Sequence, residues 1–323
     1  MKKILITGGL GFIGLNIVQN ILKDKKIRLF NIDKQSPYSN KITINNNKYK
    51  FIKLDITDKK KLYGCIKNIK PDLVYHLAAE SHVDRSIVSS KEFIYSNIIG
   101  TYNLLEILNQ LKTKKKLNAK FKFIHVSTDE VYGSILKGKF TEKSNYKPNS
   151  PYSASKASSD LLVRSWFKTY NFPAIITNCS NNFGPYQNEE KFIPKVITKI
   201  LTKKKIPIYG NGKNMRDWIY VDDHISALKT IAIKGKIGEN YNIGGQNILT
   251  NNEIVQLIFD LMKEKYINFD PASLIEYVSD RKGHDFRYAI SNKKINNKLN
   301  WYPQYKFKSS LIKTIDWYYK NLK

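Results

Sequence analysis

Residues 3–14 read Lys-Ile-Leu-Ile-Thr-Gly-Gly-Leu-Gly-Phe-Ile-Gly. A short apolar strand pattern at 3–7 runs into three glycines spaced Gly8-x-x-Gly11-x-x-Gly14. Beyond them Ile13, Ile17, Ile21 and Leu22 recur at helical spacing, so 12–23 is predicted to be a helix. A glycine turn between a strand and a helix lets the backbone approach a pyrophosphate at the positive helix end. The reading is a dinucleotide-binding βα unit, with Gly8, Gly11, Phe12, Ile13 and Gly14 at the phosphates.

Working outward, apolar strand patterns at 27–32, 50–54, 72–77, 121–127 and 173–179 alternate with helical patterns at 58–68, 91–112 and 152–169. That alternation predicts an α/β fold: a Rossmann-type, doubly wound parallel sheet. Past residue 179 the alternation breaks into turn-rich pieces, with a return to strand and helix at 217–234 and 240–244. The expected division is a Rossmann domain over 1–178 plus about 217–245. A smaller, discontinuous C-terminal substrate-binding domain would then comprise 179–216 and 246–323.

Composition sets limits. The chain has 323 residues, 41% hydrophobic and 12% aromatic, as a globular protein requires. Its two cysteines, Cys65 and Cys179, lie in no Cys/His cluster, so no metal site and a reducing, cytoplasmic setting are expected. No run reaches the roughly 18 apolar residues of a membrane span. Glycines interrupt the one N-terminal stretch that could mimic a signal peptide. The net charge of +28 comes from lysines scattered along the whole chain. It reads as compositional drift onto solvated faces, with no specific nucleic-acid partner.

Two stretches carry chemistry. Tyr152-Ser-Ala-Ser-Lys156 puts Tyr152 and Lys156 on one helix face, where an ammonium would favour the phenolate. Ser127-Thr128-Asp129-Glu130 ends a strand with adjacent carboxylates. Hydride transfer at a sugar carbon needs no such pair. Elimination of water does, because one group takes a carbon-bound proton and another protonates a leaving hydroxyl. Neighbours on a regular strand face opposite ways, so the strand must end or turn here for both to reach one sugar. Asp33, at the end of the second strand, suits the ribose hydroxyls of NAD and would repel a 2′-phosphate. Lys34 follows it. Asp55 and Ile56 are placed to meet the adenine edge.

The chain resembles the extended short-chain dehydrogenase/reductase family, and within it the nucleotide-sugar 4,6-dehydratases of the dTDP-glucose type. The resemblance rests on GGLGFIG, HLAAESHVDRSI (76–87), STDEVYG, PYSASKASSD (151–160), NCSNNFGPYQ (178–187), RDWIYVDDH (216–224) and DRKGHDFRY (280–288). It implies that bound NAD takes a hydride from C4 of the glucose and returns it to C6. Tyr152 would take the 4-hydroxyl proton while Thr128 holds the 4-oxygen. Glu130 would remove the C5 proton, and Asp129 would protonate the leaving 6-hydroxyl. It also implies that Ala78, Ala79, Glu80, Ser96 and Asn182 contact the cofactor. Ser81, Asn181, Arg216, Asn251, Arg281 and His284 would hold the nucleotide-diphosphate glucose. A homodimer is implied, paired through the helices at about 91–112 and 152–169, though Ile94, Ile98, Leu105 and Leu108 could equally face the chain's own sheet.

Residues 33–40 read DKQSPYSN where bacterial relatives read close to DKLTYAGN, and Lys282 stands where proline is usual in DRPGHD. These departures keep UDP-glucose open beside dTDP-glucose. Other readings are a UDP-hexose 4-epimerase, which has no use for Asp129 and Glu130, and a non-catalytic dinucleotide-binding protein.

Overall fold

Along the first strand, Ile4 and Ile6 are buried in one hydrophobic cluster and Leu5 in another, as the alternation of a strand covered on both faces dictates. The computed structural model describes residues 1–322. Its first half comprises β1 (Lys2–Thr7), α1 (Phe12–Ile21), β2 (Ile27–Asp33), β3 (Tyr49–Lys53), α2 (Lys59–Ile69), β4 (Leu73–His76) and α3 (Val83–Val88). Next come α4 (Lys91–Phe93), a π-helical segment (Ile94–Ile99), α5 (Gly100–Thr113), β5 (Lys122–Thr128), a 3₁₀ turn (Asp129–Tyr132), α6 (Pro151–Tyr170) and β6 (Ala174–Cys179). The second half holds β7 (Asn181–Phe183), α7 (Phe192–Leu201), β8 (Ile206–Tyr209), β9 (Met215–Tyr220), α8 (Val221–Lys234) and β10 (Asn240–Ile243). It ends with β11 (Ile248–Thr250), α9 (Asn251–Lys265), β12 (Ile275–Val278), α10 (Lys293–Leu299) and α11 (Phe307–Asn321).

Seven parallel strands form the main sheet in the order β10-β6-β5-β4-β1-β2-β3. The order reverses between β1 and β4, and a cleft opens at the carboxyl ends of strands there. This is the Rossmann-type architecture the sequence predicts. The strand expected near 217 does not join that sheet. β9 pairs instead with β11 and β7, and the chain returns to the main sheet only at β10. β12 and β8 pair separately.

The single helix expected over 91–112 is interrupted by the π segment. Its distortion inserts Asn97 between two site elements. Asn97 accepts from the Glu80 amide at 2.8 Å, and donates to the Glu80 carbonyl at 3.0 Å and to Ser155 Oγ at 2.8 Å. Leu105 and Leu108 are fully buried against the chain's own sheet, whereas Ile94, Tyr95 and Ile99 remain exposed. No helix of the described residues is long and apolar enough to cross a membrane.

Candidate active site

The glycine turn is held by close packing. Gly8 has φ +76°, and a Cβ there would stand 2.6 Å from the Ala78 nitrogen. A Cβ on Gly14 would meet the Gly8 carbonyl at 2.1 Å, so α1 sits too close to the turn for any side chain. Gly11 caps α1, and as a glycine it brings no side-chain bond to the first-turn amides. The helix start therefore offers backbone N–H groups to an anion.

That turn forms one wall of a cleft of about 730 Å³. Gly8, Gly11, Phe12, Ile13, Gly14, Asp33, Lys34, Asp55 and Ile56 line it, as do Ala78, Ala79, Glu80, Ser81 and Ser96. Thr128, Asp129, Glu130, Tyr152, Lys156, Asn181 and Asn182 line the same cleft. It runs from a carboxylate-bearing end to the Tyr152–Lys156 end, past an uncapped helix start. An extended dinucleotide fits this donor set, and the glycine packing leaves its phosphates backbone to bind.

At one end, Asp33 is already engaged. Its oxygens accept from the amides of Leu10 at 3.0 Å and Gln35 at 2.8 Å, and from Ser39 Oγ at 3.2 Å. Lys34 pairs with Glu80 at 2.7 Å, and Arg85 reaches Glu80 at 3.6 Å and Glu190 at 3.0 Å. Lys34 is thus neutralised by a carboxylate across the cleft.

At the other end, β5 stops at Thr128 and the chain tightens into the 3₁₀ turn. The turn the sequence requires is therefore present. The Thr128 hydroxyl accepts from the Glu130 amide at 3.3 Å. Asp129 is buried and Glu130 half-buried, and Asp129 Oδ2 and Glu130 Oε2 have no hydrogen-bond partner among the described residues. Unpaired enclosed carboxylate oxygens are costly in a resting core and suit a site built for a polar ligand. Tyr152 enters on the first turn of α6, which starts with Pro151 after a Ser150–Ser153 capping box. Lys156, one turn on, donates to the Val126 carbonyl at 2.9 Å.

The electrostatics separate these groups. Burial pushes Asp129 well above the carboxylate range, with Glu130 and Asp217 adding to it. Burial also raises Glu130, but Arg281, Arg216 and Lys191 oppose it. Burial lowers Lys156, and Asp160 opposes that. The lowered tyrosine expected from the sequence is not found. Burial and then Glu130 push Tyr152 well above its ordinary value, outweighing a hydrogen bond with Thr128.

Four expected substrate residues lie off the cleft wall. Arg216 stacks over Tyr288, 4.3 Å from the ring centre, and donates to the carbonyls of Met215, Asp285 and Phe286. Arg281 pairs with Asp84 at 3.2 Å. His284 Nδ1 lies 2.6 Å from Asp280. The Asn251 amide donates to the Asn214 carbonyl at 3.0 Å, at the start of α9. Arg216 and Arg281 nonetheless reach the site through their charge on Glu130. Sequence reading missed Lys191, which lines the cleft, donates to the Ser81 carbonyl at 2.6 Å and supports the charged form of Glu130. One lysine in so lysine-rich a chain carries no signal of its own. The Arg85–Glu190 bridge, 105 residues apart in sequence, was equally silent.

A Rossmann cleft holding a Tyr-x-x-x-Lys pair defines the class: an extended short-chain dehydrogenase/reductase protein. The sequence profile of the family described as GDP-mannose 4,6 dehydratase matches residues 5–314, and the chain belongs to that family. The chain is 45% identical to the dTDP-glucose 4,6-dehydratase of Escherichia coli, covering 99% of this chain and 94% of that one. A dTDP-glucose 4,6-dehydratase from Streptomyces venezuelae, solved with NAD bound, superposes with TM-score 0.91 at 37% identity, covering 99% of this chain and 97% of that one. A UDP-glucose 4-epimerase from Thermotoga maritima superposes with TM-score 0.88 at 26% identity, covering 99% of this chain and 100% of that one. The shared fold therefore does not choose between dehydration and epimerisation.

Proposed function

We propose that this protein is a dTDP-glucose 4,6-dehydratase, converting dTDP-glucose to dTDP-4-keto-6-deoxyglucose and water. The observation that carries the reading is the Asp129–Glu130 turn, which faces the same cleft as Tyr152 and Lys156. An epimerase has no step that uses two carboxylates there.

Bound NAD would supply the hydride acceptor and donor that links C4 to C6. The glycine turn and the start of α1 would hold its pyrophosphate, with Asp33, Lys34, Asp55 and Ile56 around the adenosine. Tyr152, raised by burial and Glu130, would take the proton from the 4-hydroxyl only once the cationic nicotinamide and the Lys156 ammonium favour its phenolate, and Thr128 would orient that oxygen. Lys156 would supply a positive charge that holds the ribose and favours the phenolate. The 4-ketone acidifies C5, and Glu130 removes its proton. Glu130 suits a base because Arg281, Arg216 and Lys191 favour its charged form. Asp129, pushed up by burial and by two neighbouring carboxylates, keeps its proton and delivers it to the 6-hydroxyl. Two carboxyls whose surroundings differ in this way divide the acid and base roles.

The nucleotide would lie toward Arg216, Arg281 and His284, with Ser81, Asn181 and Asn251 along the sugar and diphosphate. Arg281 and His284 would exchange their present carboxylate partners for phosphate oxygens, to which a guanidinium fork is well matched. Residues 1–178 with about 217–245 would form the cofactor domain, and the remaining segments the nucleotide-sugar domain. The exposed Ile94, Tyr95 and Ile99 of the π segment leading into α5, with Leu161 of α6, suit a homodimer paired through these helices.

Incubation with dTDP-glucose and, in parallel, UDP-glucose tests the reading. Loss of one water by mass and a keto-sugar chromophore in alkali, preferentially from the dTDP sugar, is expected. Interconversion of gluco and galacto nucleotides without loss of mass would overturn it.

A further inference from the structure

The proposed reaction separates taking the hydride from giving it back. The hydride leaves C4 at the first step and reaches C6 only after water has gone. If the site released its cofactor in that interval, it would be left with a keto-sugar it could not finish. Holding the dinucleotide through the whole cycle is therefore part of the task, and the glycine turn forms only one wall of the cleft.

Resting on the bound dinucleotide proposed above, we infer that Arg85 is a retention residue. It fastens the loop after β2 to the loop before α7 and so keeps the cofactor in place through turnover. Tyr38 and Asn40 of the first loop, and Tyr186 and Glu190 of the second, line the same cleft as Arg85. The Arg85 guanidinium lies 3.6 Å from the centre of the Tyr38 ring. Its Nη2 donates to Glu190 Oε1 at 3.0 Å, and its Nη1 stands 3.6 Å from Glu80 Oε2. One flat cation thus stacks on one loop, bonds the other and is steadied by the wall between them.

A second tie lies at the glycine turn. Asn40 Nδ2 donates to the Leu10 carbonyl at 3.0 Å and to the Tyr186 carbonyl at 3.2 Å. The two loops are therefore joined at Asn40 beside the turn and at Arg85 away from it, with cleft-lining residues at both joins. Arg85 supplies the closer cation contact of Glu190, because His82 Nε2 stands 3.8 Å away. The Arg85, Glu190 and Glu80 side chains are 29%, 22% and 13% exposed. Their charge-assisted contacts are thus better shielded than those of an open surface pair. Arg85 has no part in the proton steps proposed above, so its removal separates retention from chemistry.

Holoenzyme loaded with NAD and chased with excess carbon-13-labelled NAD reads retention directly, with no sugar present. Arg85→Gln keeps a polar side chain but loses the charge and the planar fork. Its exchange should be on the order of 10–100-fold faster than that of wild type, the scale of one hydrogen bond to a charged group. Tyr38→Leu and Glu190→Gln each remove one side of the tie and should also hasten exchange. Combining Arg85→Gln with Glu190→Gln should add little to Arg85→Gln alone. With dTDP-glucose, Arg85→Gln should leak reduced cofactor and slow as turnover proceeds, and added NAD should restore its initial rate. If Arg85→Gln does not fold, Tyr38→Leu and Glu190→Gln carry the same comparison. Exchange no faster than wild type in these variants would overturn the retention role, as would lost activity that added NAD does not restore. The exchange measurement decides the matter even if the wild type forms no keto-sugar, which would overturn the dehydratase reading alone.

Discussion

Asp129 and Glu130 leave the end of one strand side by side, both raised by burial, in fields of different balance: Arg216 favours the charged form of both, but Glu130 and Asp217 outweigh it at Asp129, whereas Arg281 and Lys191 join it at Glu130 against Asp285. The first is held as an acid and the second is eased toward a base. Glu130→Gln should therefore leave oxidation at C4 intact and block the step after it. Reduced cofactor and a 4-ketoglucose nucleotide should build up on the enzyme, seen by absorbance and by mass after quenching. Asp129→Asn should slow loss of water more than oxidation. Each defect should be about 10²–10⁴-fold.

The same strain is visible in stability. Asp129 has a raised folded value, so its favourable contribution is present at low pH and lost as pH rises through that value. Asp129→Asn cannot ionise and escapes the loss. Its melting temperature should exceed that of wild type by several degrees near pH 8, and the gain should shrink toward pH 5. Equal melting curves at both pH values would show that the carboxyl is not strained.

Lys156 depends on Asp160, the next turn down α6. Burial lowers the ammonium and Asp160 partly offsets it. Asp160 also accepts from Tyr146 at 2.9 Å and Asn178 at 3.1 Å, and its Oδ1 stands 3.1 Å from His125. With Asp160→Asn, Lys156 should lose its proton at lower pH. The basic limb of the kcat/KM profile should then move toward acid. A profile unchanged in shape would remove Asp160 from this role.

The exposed side of the helix pair predicts assembly. Ile94, Ile99 and Leu161 are 43%, 40% and 54% exposed. Light scattering should give a dimer at micromolar concentration, and Ile99→Glu should shift it to monomer. A monomeric wild type would sink the dimer.

The main sheet was legible because its central strands are apolar on both faces and the helices beside them keep their period, as β1 and α1 show. The candidate site residues that line the cleft were legible because Gly-x-x-Gly-x-x-Gly, Thr-Asp-Glu and Tyr-x-x-x-Lys are local patterns. What escaped is set by long-range packing. Local periodicity does not reveal that β9 joins β7 and β11, nor that a π segment hangs Asn97 over Glu80. The elevated Tyr152 escaped for the same reason. Helical spacing reports its lysine neighbour but not the enclosure that outweighs it.

The central claim is that one cleft moves the C4 hydrogen to C6 and expels water between. The most direct test supplies dTDP-glucose deuterated at C4 and reads the product by NMR and mass. The account predicts deuterium in the C6 methyl group, a ketone at C4, loss of one water and no free reduced cofactor. Deuterium retained at C4, or lost to cofactor released into solution, would contradict it.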